Sequence, residues 1–164
     1  MSWHVRIKVV TKRYLDGWKL VVDELTDGFK DNVARGGGLD FPGIERRLYD
    51  VPDEVRSLVE VKNGDEPIPN WEYHDANTLG EIEKRFRTKY INVAAELKNV
   101  EHYALSPEYW RISEKEKTNV QKHLNELRGE LEYQDGLWND AKTLLSIVNL
   151  FCGEETYLAI TGEG

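Results

Sequence analysis

The chain has almost no cysteine and no long apolar run, and these two absences exclude several classes of protein. Its 164 residues include a single cysteine, Cys152. One cysteine excludes an internal disulfide and a cysteine-rich zinc site. No stretch approaches the ~18 consecutive apolar residues that a membrane-spanning helix needs, so we expect no membrane partner. The first ten residues interleave charged and apolar side chains, unlike a signal peptide, and we expect a cytoplasmic location.

Catalytic and cofactor-binding signatures are also missing from the sequence. The four histidines are not spaced as a metal pair on one helix requires, so we expect no metal and no cofactor. The chain carries no Gly-x-Ser-x-Gly nucleophile motif, no P-loop and no dinucleotide fingerprint. These absences favour a non-enzymatic protein. An enzyme with an unfamiliar active site stays open as an alternative.

Acidic side chains outnumber basic ones, and the excess lies towards the C-terminus. The formal net charge is -8 at pH 7. Residues 1–64 hold 11 basic and 11 acidic side chains, whereas residues 65–164 hold 11 and 19. Such an excess repels phosphate backbones, so we do not expect direct nucleic-acid binding. An acidic mimic of nucleic acid is a further alternative, although pairs such as Glu81 and Arg85 have the i,i+4 spacing at which helix charges neutralise each other.

One glycine run and one aromatic segment could form a site for a small anionic ligand such as a nucleotide. Three consecutive glycines let a ligand approach backbone amides, nearby arginines supply charge, and aromatic rings can stack on a base. The alternative interpretation is a flexible loop with aromatic side chains anchored in the core. The candidate ligand-binding residues are Arg35, Gly36, Gly37, Gly38, Arg46, Arg47, Trp71 and Tyr73.

The strongest pattern in the chain is a helical stripe of apolar residues between Ser113 and Cys152. Apolar side chains recur there in steps of four and three, with Gln134 as the only polar member. This is the 3.5-residue period of coiled-coil packing, so this helix is expected to pack along a partner. We call these positions the seam: Val120, Leu124, Leu127, Leu131, Gln134, Trp138, Ala141, Leu145 and Val148.

A second helix precedes the seam and can supply that partner. Capping boxes, in which a Ser or Thr is followed three residues later by Glu, begin at Thr78 and Ser113. They predict helices over about 79–104 and 114–152. Because the connector 105–112 is short and contains a Ser-Pro pair, the two helices are expected to fold back as an antiparallel hairpin.

The N-terminal residues alternate in the manner of a strand with one buried face. Apolar residues occupy every second position over residues 3–9. Asp16-Gly17 is typical of a two-residue type I′ turn, which would place Arg13 opposite Leu20 in a β-hairpin. We therefore expect an antiparallel hairpin at the N-terminus.

The rest of the chain is less regular. Residues 18–34 also fit a helical stripe, so their state stays open between strand and helix. Two further segments are candidate strands, the third strand at residues 57–61 and a C-terminal strand at residues 155–161. Between them, a connector is predicted over residues 65–77, because this segment contains two prolines.

These patterns together predict an α+β fold in which a small N-terminal antiparallel sheet packs on a long C-terminal antiparallel helical hairpin. The expected organisation is a β-rich part over residues 1–77 and the hairpin with its short strand over residues 78–164, in one folding unit. Apolar residues beside the seam widen the hairpin's apolar surface, and a second copy in a four-helix bundle would cover them. The predicted dimer interface consists of Tyr90, Ile91, Ala94, Ala95, Tyr133 and Leu137.

The function that this architecture favours is protein interaction. We expect a homodimeric adaptor or inhibitor that binds a protein partner, of the kind that phages and other mobile elements often encode. A binder or sequesterer of a small anionic ligand is the second hypothesis, and the nucleic-acid mimic is the third.

Overall fold

The structure of the protein is a computed structural model, and part of the chain is described. It describes residues 4–14, 16–22, 51–60, 62–63, 66–67, 72–151 and 155–163. The sheet strands are β1 His4–Thr11, β2 Lys19–Val22, β5 Glu72–His74 and β6 Thr156–Glu163. A separate two-stranded ladder joins β3 Lys62–Asn63 and β4 Glu66–Pro67. The helices are α1 Asp53–Val59, α2 Ala76–Ala104 and α3 Glu114–Leu150, with a 3-10 turn at Tyr109–Arg111 between the last two.

The fold is α+β, as predicted, with a small antiparallel sheet and a long helical hairpin. The strand order in the sheet is β2-β1-β6-β5, and all three strand pairs are antiparallel. The C-terminal strand was predicted over residues 155–161 and is confirmed, but it lies inside the sheet between β1 and β5. The last strand of the chain therefore completes the sheet that the first strands begin.

The central position of β1 changes the expected register of the N-terminal hairpin. Val10 pairs with Leu20 where Arg13 was predicted to do so, and the register shifts between Val9 and Val10. The connection is longer than the two-residue turn, and Tyr14 within it has a positive φ of 58°. Because β6 pairs with β1 over eight residues, that ladder positions β1 more strongly than a tight turn does.

Both faces of β1 are buried, which the alternating pattern did not indicate. Ile7 and Val9 on one face and Val10 on the other are fully buried. A central strand covered on both sides needs apolar residues on both faces. On the Val10 face, the core cluster consists of Val10, Val51, Val55, Val59 and Ala159, with Trp18, Leu20, Tyr73 and Tyr157 partly buried against it.

The third strand predicted over residues 57–61 is wrong, because these residues belong to α1 or lie beyond it. Asp53 and Glu54 occupy the first turn of α1, where the helix dipole favours negative charge. Val55 and Val59 are four residues apart and fully buried on one side of the helix. Val55 and Val59 therefore form a helical contact with the sheet.

The segment predicted as a connector over residues 65–77 contains β4 and the edge strand β5, and α2 begins earlier than predicted. The Asp75 carboxylate accepts hydrogen bonds from the Thr78 amide at 2.8 Å and from the Thr78 hydroxyl at 2.9 Å. Asp75 is thus the N-cap and Thr78 lies inside the first turn. At the start of α3, the prediction was correct: the Glu116 amide donates to the Ser113 hydroxyl at 3.2 Å.

The chain forms two compact units. We call Met1–Glu83 with Asp140–Gly164 the sheet unit, and Lys84–Asn139 the hairpin unit. The sheet unit includes the start of α2 and the end of α3, where Leu79, Ile82 and Leu144 are fully buried. This division differs from the predicted boundary at residue 77, and folding as one cooperative unit stays a prediction. Within the described residues, no helix combines the length and apolar character that crossing a membrane requires.

Candidate functional site

The hairpin unit exposes large apolar side chains at its tip, where the chain passes from α2 to α3. Leu105 is 82% exposed and Trp110 is 70% exposed, and Tyr103 is exposed beside them. Exposed Trp and Tyr side chains are enriched at the energetic centres of protein interfaces. We call Tyr103, Leu105 and Trp110 the tip patch.

The buried Tyr109 packs against the two aromatic rings of the tip patch. Tyr109 is buried, and its ring meets the edges of Tyr103 and Trp110 at centroid distances of 6.2 and 5.8 Å. The Gln121 amide donates a hydrogen bond to the Tyr109 hydroxyl at 3.1 Å. Edge-to-face ring contacts and a bonded hydroxyl restrict the orientation of these aromatic groups.

A lysine completes the aromatic cluster. The Lys117 ammonium lies 5.4 Å from the Trp110 ring centroid and 5.9 Å from that of Tyr109. Both distances are within the range of cation–π attraction. The same ammonium contacts the Glu114 carboxylate at 3.4 Å. Trp110 is therefore exposed on one side and packed on the other.

Local hydrogen bonds hold the backbone of the tip. The Leu105 amide donates to the His102 carbonyl at 3.2 Å, and the Ser106 amide donates to the Tyr103 carbonyl at 2.9 Å. The Ser106 hydroxyl donates to the same Tyr103 carbonyl at 2.6 Å. These bonds satisfy carbonyls that the end of α2 would leave without partners. The tip patch thus lies on an ordered turn.

The sequence was interpreted as having only a connector at the tip, so the tip patch was missed. The available signal was the composition of that connector: Leu105 and Trp110 lie in a short polar turn where a hairpin needs no apolar side chain. Only the structure shows that Tyr109 takes the buried position and leaves Trp110 outside.

The seam residues up to Trp138 line the core of the hairpin unit, whereas Ala141, Leu145 and Val148 belong to the sheet unit. Leu97 of α2 is buried with the seam residues Leu124 and Leu127, and five apolar residues pack against them: Val93, Val100, Ala104, Val120 and Leu131. Tyr90 packs on Trp138 with a centroid distance of 5.1 Å, so this predicted interface residue already has an aromatic partner within the chain.

Two further rows of side chains flank the seam, one on each side, at the same spacing of four and three residues. The Ile91 face consists of Arg87, Ile91, Ala94, Lys98 and Glu101 on α2 and Gln121, Asn125, Arg128, Glu132, Asp135 and Asn139 on α3. The Tyr133 face consists of Arg85, Lys89, Asn92, Glu96, Asn99 and Tyr103 on α2 and Asn119, His123, Glu126, Glu130, Tyr133 and Leu137 on α3.

One ion pair between the helices lies on each of these faces. The Arg128 guanidinium is 3.6 Å from the Glu101 carboxylate on the Ile91 face. His123 is 3.5 Å from the Glu96 carboxylate on the Tyr133 face. Because each pair joins residues of matching rows, the two faces are opposite sides of the hairpin.

The predicted dimer residues are consequently divided between the two faces. Ile91 is 55% exposed and shares its face with the half-buried Ala94, while the exposed Ala95 lies one position further around α2. Tyr133 is 41% exposed on the opposite face, and Leu137 is 3% exposed within the single chain. A dimer that packs through one face of the hairpin would use one of these sets.

The candidate ligand-binding residues lie outside the described part of the chain, except Tyr73. These are Arg35, Gly36, Gly37, Gly38, Arg46, Arg47 and Trp71. The Tyr73 hydroxyl donates a hydrogen bond to the Glu60 carboxylate at 3.3 Å. Burial and then the Glu60 charge raise the pKa of Tyr73 above its usual range. The phenol is thus protonated at neutral pH and packs against the α1 side of the sheet.

A second tyrosine of the sheet unit has a raised pKa. Burial, followed by the charge of Asp75, also raises the pKa of Tyr157. A raised tyrosine pKa disfavours the phenolate that could act as a base near neutral pH. Among the described residues, no group of three or more His, Cys, Asp or Glu side chains is placed to hold a metal ion.

Comparison with known proteins adds no relationship. No protein-family model matches the chain, and no match is found among curated proteins or among solved structures.

Proposed function

We propose that the chain is a non-enzymatic interaction protein of the cytoplasm, an adaptor or inhibitor, that dimerises through its helices and binds a protein partner with the tip patch. The observation that carries the proposal is the exposure of Trp110 and Leu105 on an ordered turn. Apolar side chains that are exposed together on a protein surface often mark a site of protein interaction.

The physical properties of the tip suit an anchor for a partner's pocket. Tyr109 and Lys117 hold Trp110 in place from the chain side. A side chain that is already ordered loses less conformational entropy on binding than a mobile one. Leu105, which is exposed in the same turn, adds apolar area to the tip.

The test compares partner capture by the wild-type chain and by the Trp110→Ala, Leu105→Ala double variant. We expect the partner retained from a lysate of the source organism to fall at least tenfold with the double variant, because truncated hot-spot residues commonly cost that much affinity. A photoreactive phenylalanine analogue at position 110 should crosslink the same partner in the wild-type background.

The matched control removes two other exposed apolar side chains, Tyr14 and Leu150, both in the sheet unit. The Tyr14→Ala, Leu150→Ala variant should capture the partner as the wild type does. Equal capture by the tip variant and this control, with helical circular dichroism unchanged in both, would show that the tip patch does not bind the partner.

A further inference from the structure

Tyr14, in the connection between β1 and β2, has a backbone conformation that a tyrosine rarely adopts. Its φ is 58°, in the left-handed region where glycine and asparagine are the usual residues. If the connection needed only this turn, a glycine would form it with less strain. A bulky residue in such a conformation often marks a functional site, where the side chain has a use that offsets the strain. The side chain of Tyr14, rather than its backbone, is therefore what needs a role.

Arg13 packs on the Tyr14 ring and fixes its orientation. The guanidinium carbon of Arg13 lies 4.4 Å from the ring centroid, and an Arg13 Nη donates a hydrogen bond to the Tyr14 hydroxyl at 2.6 Å. Tyr14 is nevertheless 87% exposed. One face of the ring thus lies against a guanidinium, while solvent reaches the other face. A fixed ring with one open face is a platform on which a second flat ring can stack.

The sheet anchors this platform. The Arg13 amide donates to the Thr11 hydroxyl at 3.2 Å, and the Lys12 amide donates to the Glu155 carbonyl at 3.0 Å. The Thr11 hydroxyl also shares a hydrogen bond with the Thr156 hydroxyl at 3.0 Å. The residues before Tyr14 are thereby tied to the paired strands β1 and β6 of the sheet unit.

Basic side chains accompany the platform. The Lys12 ammonium lies 5.8 Å from the ring centroid of Trp18, and the exposed Lys19 begins β2. Together with Arg13, the connection brings three positive charges into one short segment. Two acidic residues are also present: Asp16 in the connection and Glu155 beside Lys12. Positive charge therefore predominates at this connection, in a chain whose formal net charge is -8.

We propose that this connection binds a nucleotide, either free or within a single-stranded nucleic acid. The base stacks on the open face of Tyr14, and the phosphate lies among the charged groups of Lys12, Arg13 and Lys19. We call these four residues the Tyr14 site. The inference goes beyond the proposed function, because the Tyr14 site belongs to the sheet unit and the tip patch to the hairpin unit.

Other anionic ligands use only part of the Tyr14 site. A run of acidic side chains would pair with the basic residues but leaves the open face of Tyr14 without a flat ring. Duplex DNA supplies phosphates, but its bases are already stacked on each other and are not available to Tyr14. A nucleotide or a single strand presents both an open base and a phosphate. The combination of ring and charge therefore favours this class of ligand.

The acidic excess of the whole chain opposes this binding only weakly. Residues 1–64 contain 11 basic and 11 acidic side chains, and the excess that argued against nucleic acid lies in residues 65–164. Exposed charges more than about 8 Å from a ligand are largely screened at physiological salt. The charges close to Tyr14, of both signs, therefore have the larger influence on a bound phosphate.

Substitution of the strained tyrosine separates binding from stability. Fluorescence anisotropy measures binding of the full chain to fluorescein-labelled oligo(dT). Tyr14→Gly should weaken this binding at least about fivefold, the loss that follows from one unstacked base. The same variant should keep the wild-type melting temperature, because glycine adopts this φ without strain. Tyr14→Phe retains the ring and should bind like the wild type.

The salt dependence of binding tests the basic residues. The slope of log K against log salt concentration should be about -2, since each of three basic residues contributes about 0.7 on a single strand. Lys12→Gln with Lys19→Gln should reduce the magnitude of the slope by about 1.4. The matched control, Lys115→Gln with Lys122→Gln, removes two exposed charges of α3 and should keep the wild-type slope.

Competition with unlabelled AMP distinguishes the two sources of the nucleotide. Displacement of oligo(dT) by AMP at an equal nucleotide concentration would identify a free nucleotide as the ligand, and retention of oligo(dT) would identify a single strand. Failure of the wild type to bind either probe at millimolar concentration, or equal binding by Tyr14→Gly, would overturn the inference. Displacement by poly-glutamate as effective as by unlabelled oligo(dT) would overturn it in favour of an acidic polypeptide.

The result is independent of the tip patch. The Tyr14→Ala, Leu150→Ala variant lacks the ring of the Tyr14 site but keeps Trp110 and Leu105. It should therefore lose oligo(dT) and still capture the protein partner, so failure of one proposal is distinguishable from failure of the other.

Discussion

The sheet unit and the hairpin unit bury their residues in different ways, although the same two helices run through both. In the sheet unit, α3 residues such as Ala141, Leu144 and Val148 are fully buried. In the hairpin unit, the seam residues Leu124 and Leu127 keep a small exposed fraction. The rows on both sides of the seam are largely exposed there, whereas strands β1 and β6 are buried on both faces. The sheet unit therefore contributes more of the folding free energy, and the hairpin unit contributes surface.

This difference follows from the number of layers. A strand between two layers buries both of its faces, whereas a helix packed on one other helix buries only a stripe. Apolar residues outside the stripe, such as Ile91 and Trp110, keep more than half of their surface exposed. The hairpin unit therefore leaves apolar side chains at its surface.

The largest expected effect compares the same substitution in the two units. Leu158→Ala in β6 should destabilise the protein by about 3–4 kcal/mol, and Leu124→Ala in the seam by about 2 kcal/mol, because fewer atoms surround the second cavity. Urea denaturation followed by circular dichroism measures both. Equal losses would mean that the hairpin unit is packed as tightly as the sheet unit.

The N-caps of the two long helices offer a second comparison. Asp75→Ala removes two hydrogen bonds to Thr78 in the sheet unit and should cost about 1–2 kcal/mol. Ser113→Ala removes one longer bond in the hairpin unit and should cost about 0.5–1 kcal/mol. Thermal unfolding of both variants shows which substitution costs more stability. A larger loss of stability for Ser113→Ala than for Asp75→Ala would contradict this prediction.

Helix propensity should act equally in both units, because it is a local property. A Cβ added at Gly80 in the sheet unit or at Gly129 in the hairpin unit meets no atom within 4 Å. Gly→Ala at either helical position should therefore stabilise the protein by about 0.5–1 kcal/mol. Differential scanning calorimetry compares the two variants. Destabilisation by Gly129→Ala alone would show that something packs against that side of α3.

Alkaline pH should distinguish the sheet unit through its buried phenol. The pKa of Tyr73 is raised above the ordinary value of 10.0, so the unfolded chain loses that proton first and stability falls as pH rises above about 10. Tyr73→Phe should reduce this loss between pH 9 and pH 11, measured by urea denaturation at each pH. An unchanged loss of stability between pH 9 and pH 11 in Tyr73→Phe would show that this phenol is not the group responsible.

The sequence predicted the helices more accurately than the strands. Ser113 was correctly identified as a cap, because the capping signal is contained within four residues. The cap of α2 was placed at Thr78, three residues late, because Thr78-x-x-Glu81 matches the capping box and Asp75-x-x-Thr78 does not. Because β5 ends at His74, the next residue, Asp75, becomes the N-cap of α2.

Errors in the sheet have a common origin in long-range pairing. A strand was predicted over residues 57–61, yet residues 57–59 end α1, and Val55 and Val59 of this helix are buried against the sheet. The register of the first hairpin depended on β6, which lies about 150 residues away in sequence. The tip patch was likewise invisible, because local composition does not say which of two adjacent aromatic residues is buried.

Periodicity and capping in the sequence alone determined that the chain has two long antiparallel helices with a seam, a small sheet and an α+β fold, because these signals act over a few residues. Tertiary structure decided which strand is central, where the caps lie, that Tyr109 rather than Trp110 is buried at the tip, and how the rows beside the seam divide into two faces. Those features depend on contacts between residues far apart in sequence, whose free energies outweigh local preference.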